Sequence, residues 1–273
     1  MGRKQGWLWP ILGTLSLLCT ALLLFGFGWA LKDTWSPSAG MTLPDPAPAP
    51  QQGGVAWADK SEIKAIAIGD SLTHGTGDAT GKGYVEASLA LLSKSLGKPV
   101  RLDGNLAIAG LEAAKLSQLL DGKAMKDAIA EADVVLLTIG GNDLFRSAQD
   151  GGSIAEGSGV DPELVRARLP ELEARLAAVF NKIRSNNPSV RVAYVALYNP
   201  FYELEELRTP LAGILEQWNG NAERLAAEDG NIAVVPTADL FRAQSGLYLS
   251  SDHFHPNEAG YARIAVRVAQ ALN

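Results

Sequence analysis

Short apolar runs that alternate with helix-period stretches predict an α/β fold, a parallel sheet covered by helices on both faces. Three observations carry that expectation. Apolar runs bounded by turn residues recur at 63–68, 100–106, 134–139, 190–197 and 232–235. Helix-period stretches lie at 84–96, 111–120, 163–184, 211–228 and 257–272, so the two kinds of segment alternate along the chain. Hydrophobic residues make up 47% and charged residues 20%, which is ordinary for a compact globular chain and sets aside collagenous, wholly disordered and multi-span membrane classes. The apolar runs are nearly continuous, so each is expected to be a buried strand and not a half-exposed one.

The chain begins with a different kind of segment. Residues 7–31 contain no charge and are rich in Leu, longer than the roughly 20 residues that cross a bilayer core. Arg3 and Lys4 precede the run while Lys32 and Asp33 cancel behind it, which places the N-terminus in the cytoplasm and the remainder outside. Trp7, Trp9 and Trp29 fall near the expected interfaces. A cleaved signal peptide is the rival reading, but its apolar region is normally about 7–15 residues and no clear Ala-x-Ala site follows, so the run is read as a signal-anchor. Cys19 lies inside it behind Leu17 and Leu18 and is expected to be a plain membrane-buried cysteine. As the chain's single cysteine it excludes an internal disulfide and a Cys-based zinc cluster.

Residues 32–56 then carry Pro37, Pro44, Pro46, Pro48 and Pro50 among Ser, Gly and Gln, a composition that favours an extended tether. The expected division is a cytoplasmic N-terminus at 1–6, a transmembrane anchor at 7–31, a Pro-rich linker at 32–56 and a globular domain at 57–273. Within that domain Pro170 is expected to kink or restart its helix, and the Gly/Ser-rich stretch 151–159 to form a mobile loop. The net charge of −6 lacks the Lys and Arg excess that phosphate backbones require, so no nucleic-acid partner is expected.

Candidate functional residues collect where the strands are expected to end, the edge at which open α/β sheets place ligands. Strand one runs into Gly69-Asp70-Ser71-Leu72, which sets a serine just past a buried strand, positioned for nucleophilic attack but in need of a base. Strand two leads to Gly110 at a helix start, where backbone N–H groups point outward. Strand three leads to Gly140-Gly141-Asn142-Asp143, whose glycines let backbone approach a ligand and whose Asn142 amide can donate to a developing oxyanion. Near the C-terminus Ser251-Asp252-His253-Phe254-His255-Pro256-Asn257 supplies the base. An aspartate three residues before a histidine can hold one ring nitrogen and leave the other for the serine, and this spacing favours His255 over His253. His74 is expected to face solvent, Tyr84 to face the core, and Glu203, Glu205 and Glu206 to form a solvated face.

Gly69-Asp70-Ser71-Leu72, Gly110, Gly140-x-Asn142-Asp143 and Asp252-x-x-His255, in that order, resemble the four blocks of the GDSL, or SGNH, hydrolases. The similarity extends from about residue 63 to the C-terminus and includes Asn199-Pro200-Phe201, as in bacterial lipase/acylhydrolase members. It implies a flavodoxin-like three-layer α/β/α sandwich with a five-stranded parallel sheet, and carboxylic ester hydrolysis through an acyl-serine. Carried over by position, Ser71 is the nucleophile, His255 the base and Asp252 its partner, with the Ser71 and Gly110 N–H groups and the Asn142 side chain as the oxyanion hole. No Gly-x-Ser-x-Gly elbow occurs, which argues against the α/β-hydrolase route to the same chemistry. The mechanism calls for no metal and no cofactor. The partners expected are an ester substrate (a lipid, an acyl ester or an acetylated glycan) and the membrane, reached through the N-terminal helix. Two alternatives stand beside this reading: an O-acetylesterase acting on cell-wall carbohydrate, and a non-catalytic surface binding module on the same fold.

Overall fold

The computed structural model describes residues 8–35, 57–146 and 160–273. They fall into two compact units. The first contains helix α1, Leu8–Trp35, which over Trp9–Gly28 is long and apolar enough to cross a membrane, with none of that stretch buried against other protein. The helix continues to Trp35, so residues 32–35, expected in the linker, are helical. The remainder of the expected linker and the loop at 151–159 lie outside the described residues.

The second unit is built on five parallel strands: β1 Ile63–Gly69, β2 Val100–Asn105, β3 Val134–Thr138, β4 Arg191–Val195 and β5 Ile232–Val235. Their order across the sheet is β2-β1-β3-β4-β5. The chain therefore starts beside the middle of the sheet and winds first one way, then the other, which opens a crevice at the carboxyl ends of β1 and β3.

Helices cover both faces, as the sequence leads one to expect. Alternate side chains of each central strand enter opposite cores: Val135 and Leu137 join one with Ile66, Ile68, Val192 and Tyr194, while Val134 and Leu136 join the other with Ala65, Ala67, Ala193 and Val195. The first core is closed by α4 Ala113–Leu119, α5 Lys123–Glu131, α6 Gly141–Arg146, α7 Pro162–Asn186 and α8 Glu205–Asp229. The second is closed by α3 Val85–Leu96, α9 Ala238–Tyr248 and α10 Glu258–Leu272. Burial on both faces is why the central strands read as continuous apolar runs.

Two expectations are corrected. Strand β2 is not fully buried; exposure alternates along it because it is an edge strand, with Arg101, Asp103 and Asn105 its exposed residues. Of the kink or restart expected at Pro170, the restart does not occur: α7 is one helix from Pro162 to Asn186 with Pro170 inside it. Pro170 is exposed, so its ring meets solvent and water can serve the carbonyl that loses its donor.

Gly140, at the exit of β3, has φ +111°, and a Cβ there would lie 2.3 Å from the Trp218 ring. Its bareness is filled by the α8 indole and not by open space for a ligand, which revises the sequence-based reason for that glycine. Trp218 is fully buried and donates from Nε1 to the Tyr194 hydroxyl at 2.9 Å, so it has no room to withdraw. Gly140→Ala is expected to lower the unfolding free energy of this unit by about 2–4 kcal/mol, from backbone strain plus overpacking. Urea denaturation followed by circular dichroism measures it; a loss below about 0.5 kcal/mol, the scale of an ordinary surface change, would contradict the account.

Candidate active site

Ser71 opens a four-residue helix, α2 Ser71–His74, immediately after β1. The chain leaves the strand at Gly69, φ +127°, so close to β3 that a Cβ there would overlap the Thr138 carbonyl at 1.9 Å. Asp70 then caps the turn by accepting the Leu72 N–H at 3.1 Å. These constraints leave the Ser71 hydroxyl at the β1–β3 crevice, largely buried.

The other half of the site comes from the segment between α9 and α10. Leu249 bridges Pro256, and Ser250 N–H bonds the His255 carbonyl at 2.8 Å, so the intervening residues form a closed loop. Within it Asp252 Oδ1 accepts the amides of Phe254 and His255, both at 2.9 Å, and the Ser250 hydroxyl at 2.7 Å. Its Oδ2 lies 2.7 Å from His255 Nδ1, and His255 Nε2 lies 2.9 Å from Ser71 Oγ. Burial opposes charge on Asp252, but the bonds from the His255 ring and from the His255, Phe254 and Ser250 donors outweigh it and bring the carboxyl down to about 2. An ionised carboxylate only accepts, so Nδ1 carries the ring proton and Nε2 faces Ser71 with its lone pair. His253 is exposed, with φ +55°, and does not join this chain.

The two halves fit closely against each other. A Cβ on Gly77, in the loop after the serine, would meet His255 Cβ at 2.7 Å and the Pro256 carbonyl at 2.6 Å. Tyr261 of α10 donates to the Thr76 carbonyl at 2.6 Å, and Tyr198, after β4, donates to the Phe254 carbonyl at 2.7 Å.

Beneath Ser71 lies a buried polar chain. Thr138 Oγ1 donates to Asp70 Oδ1 at 2.6 Å and receives the Thr73 N–H at 3.1 Å. Thr73 Oγ1 is 2.8 Å from Thr138 Oγ1 and 2.8 Å from the Tyr84 hydroxyl. With the carboxylate as terminal acceptor, the direction of every bond follows: Tyr84 to Thr73 to Thr138 to Asp70. Burial pushes the Asp70 carboxyl up, and the bonds from Thr138 and the Leu72 amide work against that rise.

The remaining donors sit across the crevice on α6 and the segment before α4. Asn142 spends one Nδ2 hydrogen on the Leu111 carbonyl at 3.1 Å, leaving the other for a second acceptor. Gly110, φ +79°, directly precedes Leu111, and the Arg146 guanidinium lies over it. Asp143, buried behind Asn142, accepts the Ala113 N–H at 2.8 Å and ties α6 to α4. Burial raises its carboxyl to about 6 against that amide bond; Glu112 adds to the rise and Arg175 opposes it. Ser71 and Asn142 share the wall of a narrow slot with Gly141, Phe145, Tyr198 and Phe254.

Sequence reasoning did not single out Thr138, Tyr198 or Ser250, nor a role for Asp70 or for Phe254. His74 is exposed and Tyr84 fully buried, as expected; Glu203, Glu205 and Glu206 are exposed. Among the described residues no cluster of three or more His, Cys, Asp or Glu side chains is arranged to hold a metal ion.

A family model described as GDSL-like lipase/acylhydrolase matches residues 67–263. Among curated proteins, the uncharacterized protein YpmR of Bacillus subtilis is 36% identical over 217 residues, 78% of this chain and 82% of that protein. The spore germination lipase LipC of Bacillus licheniformis is 27% identical over 214 residues, 77% of this chain and 96% of its own length. Among solved structures, the lipase Lip_vut3 from a goat rumen metagenome aligns with a TM-score of 0.66 at 26% identity, covering 77% of this chain and 97% of that one.

The depressed Asp252 carboxyl makes a prediction about acid. A carboxyl lowered on folding stabilises fully above its unfolded value of about 3.9 and loses that contribution as pH falls through its folded value. The stability gap between wild type and Asp252→Asn should therefore shrink as pH falls between about pH 4 and 2. Denaturation midpoints across that range check it, and a gap that widens toward acid would contradict it.

Proposed function

Because the chain belongs to the GDSL-like lipase/acylhydrolase family and is a carboxylic ester hydrolase, we propose that it cleaves esters through an acyl-serine intermediate formed on Ser71. The observation that carries this reading is the unbroken chain from Asp252 through His255 to Ser71, with links of 2.7 and 2.9 Å. As the Ser71 oxygen attacks the substrate carbonyl, His255 Nε2 takes the hydroxyl proton, and Asp252 stabilises the imidazolium that forms. The carbonyl oxygen becomes an oxyanion held by the Ser71 and Gly110 N–H groups and the Asn142 amide. Collapse of the tetrahedral intermediate breaks the bond to the alcohol, which leaves with the proton from His255. Water then repeats the cycle on the acyl-enzyme, with His255 again as base, and releases the acid.

We assign the apolar N-terminal helix as a signal-anchor, residues 36–56 as a linker and 57–273 as the catalytic domain, held outside the cytoplasmic membrane. Support comes from the length of the uncharged stretch in α1 and from Arg3 and Lys4 ahead of it.

An oxyanion donor contributes about 3–4 kcal/mol to the transition state, so Asn142→Ala should lower kcat roughly 100-fold or more with little change in KM. Ser71→Ala should cost ~10⁴-fold or more. Steady-state hydrolysis of p-nitrophenyl acetate measures both. Wild-type turnover by folded Ser71→Ala protein would remove Ser71 from the mechanism.

A further inference from the structure

The steps from Ser71 attack to release of the acid leave one buried carboxylate unused, that of Asp70. It is 2% exposed and borders the slot that Ser71 and Asn142 wall. To cap α2 it needs only the Leu72 amide at 3.1 Å, and Asn would cap as well. Yet the fold gives Oδ1 a second donor, the Thr138 hydroxyl at 2.6 Å, and orients that hydroxyl from behind through Thr73 and Tyr84. A chain of donors ending on a carboxylate keeps a charge ionised out of water.

That charge lies close to the base. Ser71, the next residue, is 2.9 Å from His255 Nε2, and the His255 charge is among the influences that hold the Asp70 carboxyl down against burial. The coupling is reciprocal: a negative charge in a site with little water favours the protonated ring, the form His255 takes on receiving the Ser71 proton. We propose that Asp70 is a second carboxylate for His255, a buried charge beneath Ser71 that stabilises the imidazolium while Asp252 holds Nδ1. Asp70 touches no reacting atom; it is a positioning residue that acts through His255. The inference rests on His255 as the base to Ser71.

The surroundings leave Asp70 and Asp252 as the two carboxylates aimed at the ring. Asp78, which follows Gly77, is turned into its own loop by Thr80 and Gly83, and Asp143 of α6 is turned to Ala113. Burial pushes the phenols of Tyr84, Tyr194, Tyr198 and Tyr261 up, so they stay neutral. His74, Arg146, His253 and Glu258 are exposed.

The test is the titration of the His255 ring, followed by NMR on the detergent-solubilised full chain with isotope-labelled histidine. The chain has three histidines, so His255→Ala assigns the signal and the exposed His74 and His253 serve as internal controls. Asp70→Asn keeps the cap and removes the charge, and should lower the proton affinity of His255 about 3- to 10-fold while the controls stay put. The acid limb of kcat/KM for p-nitrophenyl acetate should move to lower pH with it, which a purely structural loss of activity would not cause. Thr138→Val strips the carboxylate of its hydroxyl donor and should shift His255 in the same direction; Thr138→Ser, which restores the hydroxyl, should leave it at the wild-type position. A His255 titration unmoved in Asp70→Asn, or in Thr138→Val should Asp70→Asn not fold, would overturn the inference. The titration needs no substrate, so that result is separate from the catalytic reading, which fails instead if Ser71→Ala hydrolyses the ester at the wild-type rate.

Discussion

One imidazole ring links the two ends of the globular sequence. His255 lies 184 positions after Ser71, yet its Nε2 is 2.9 Å from the serine oxygen. A histidine held only by its own side-chain torsions would lose that contact to rotation. Here the ring is fixed from the opposite side by Asp252, which is itself fixed by two loop amides and the Ser250 hydroxyl. The Asp252 bonds therefore do two things at once. They order the loop that carries His255, and they keep the carboxylate charged so that the ring turns its Nε2 lone pair toward Ser71.

The same demand for position accounts for much of the surrounding packing. Gly77 is bare where His255 backs against it, and Tyr261 and Tyr198 anchor the two facing loops by their hydroxyls. On the other side, Asp143 joins α6 to α4, so Asn142 and Gly110 move as one piece. The sheet supplies the frame. Because the strand order turns back between β1 and β3, the segment carrying Ser71 and the segment carrying Asn142 emerge side by side with no strand between them.

How much of this was legible in the sequence depends on the range of the interaction. Burial on both faces makes β1, β3 and β4 almost wholly apolar, a pattern visible without any partner. The serine, asparagine and histidine segments stand out for the same reason, since each follows a strand or precedes a helix. What could not be read is what depends on distant neighbours. The alternation in β2 follows from its lying at the sheet edge, and the uninterrupted α7 from Pro170 facing water. Gly140 looked like clearance for a ligand because nothing local announces that Trp218, far along the chain, fills the gap. The relay from Tyr84 through Thr73 and Thr138 to Asp70 draws on three separate segments of ordinary residues, which carry no local signal. Helix α5 went unseen because Ile129 is its one fully buried side chain.

The central claim, that Ser71 is a nucleophile armed by His255, is open to covalent capture. Exposure of the full chain to a fluorophosphonate, followed by intact mass and peptide mapping, tests it without any assumption about substrate. The account predicts one adduct, on Ser71, forming much more slowly in His255→Ala. An adduct on another residue, or none while ester hydrolysis proceeds, would contradict it.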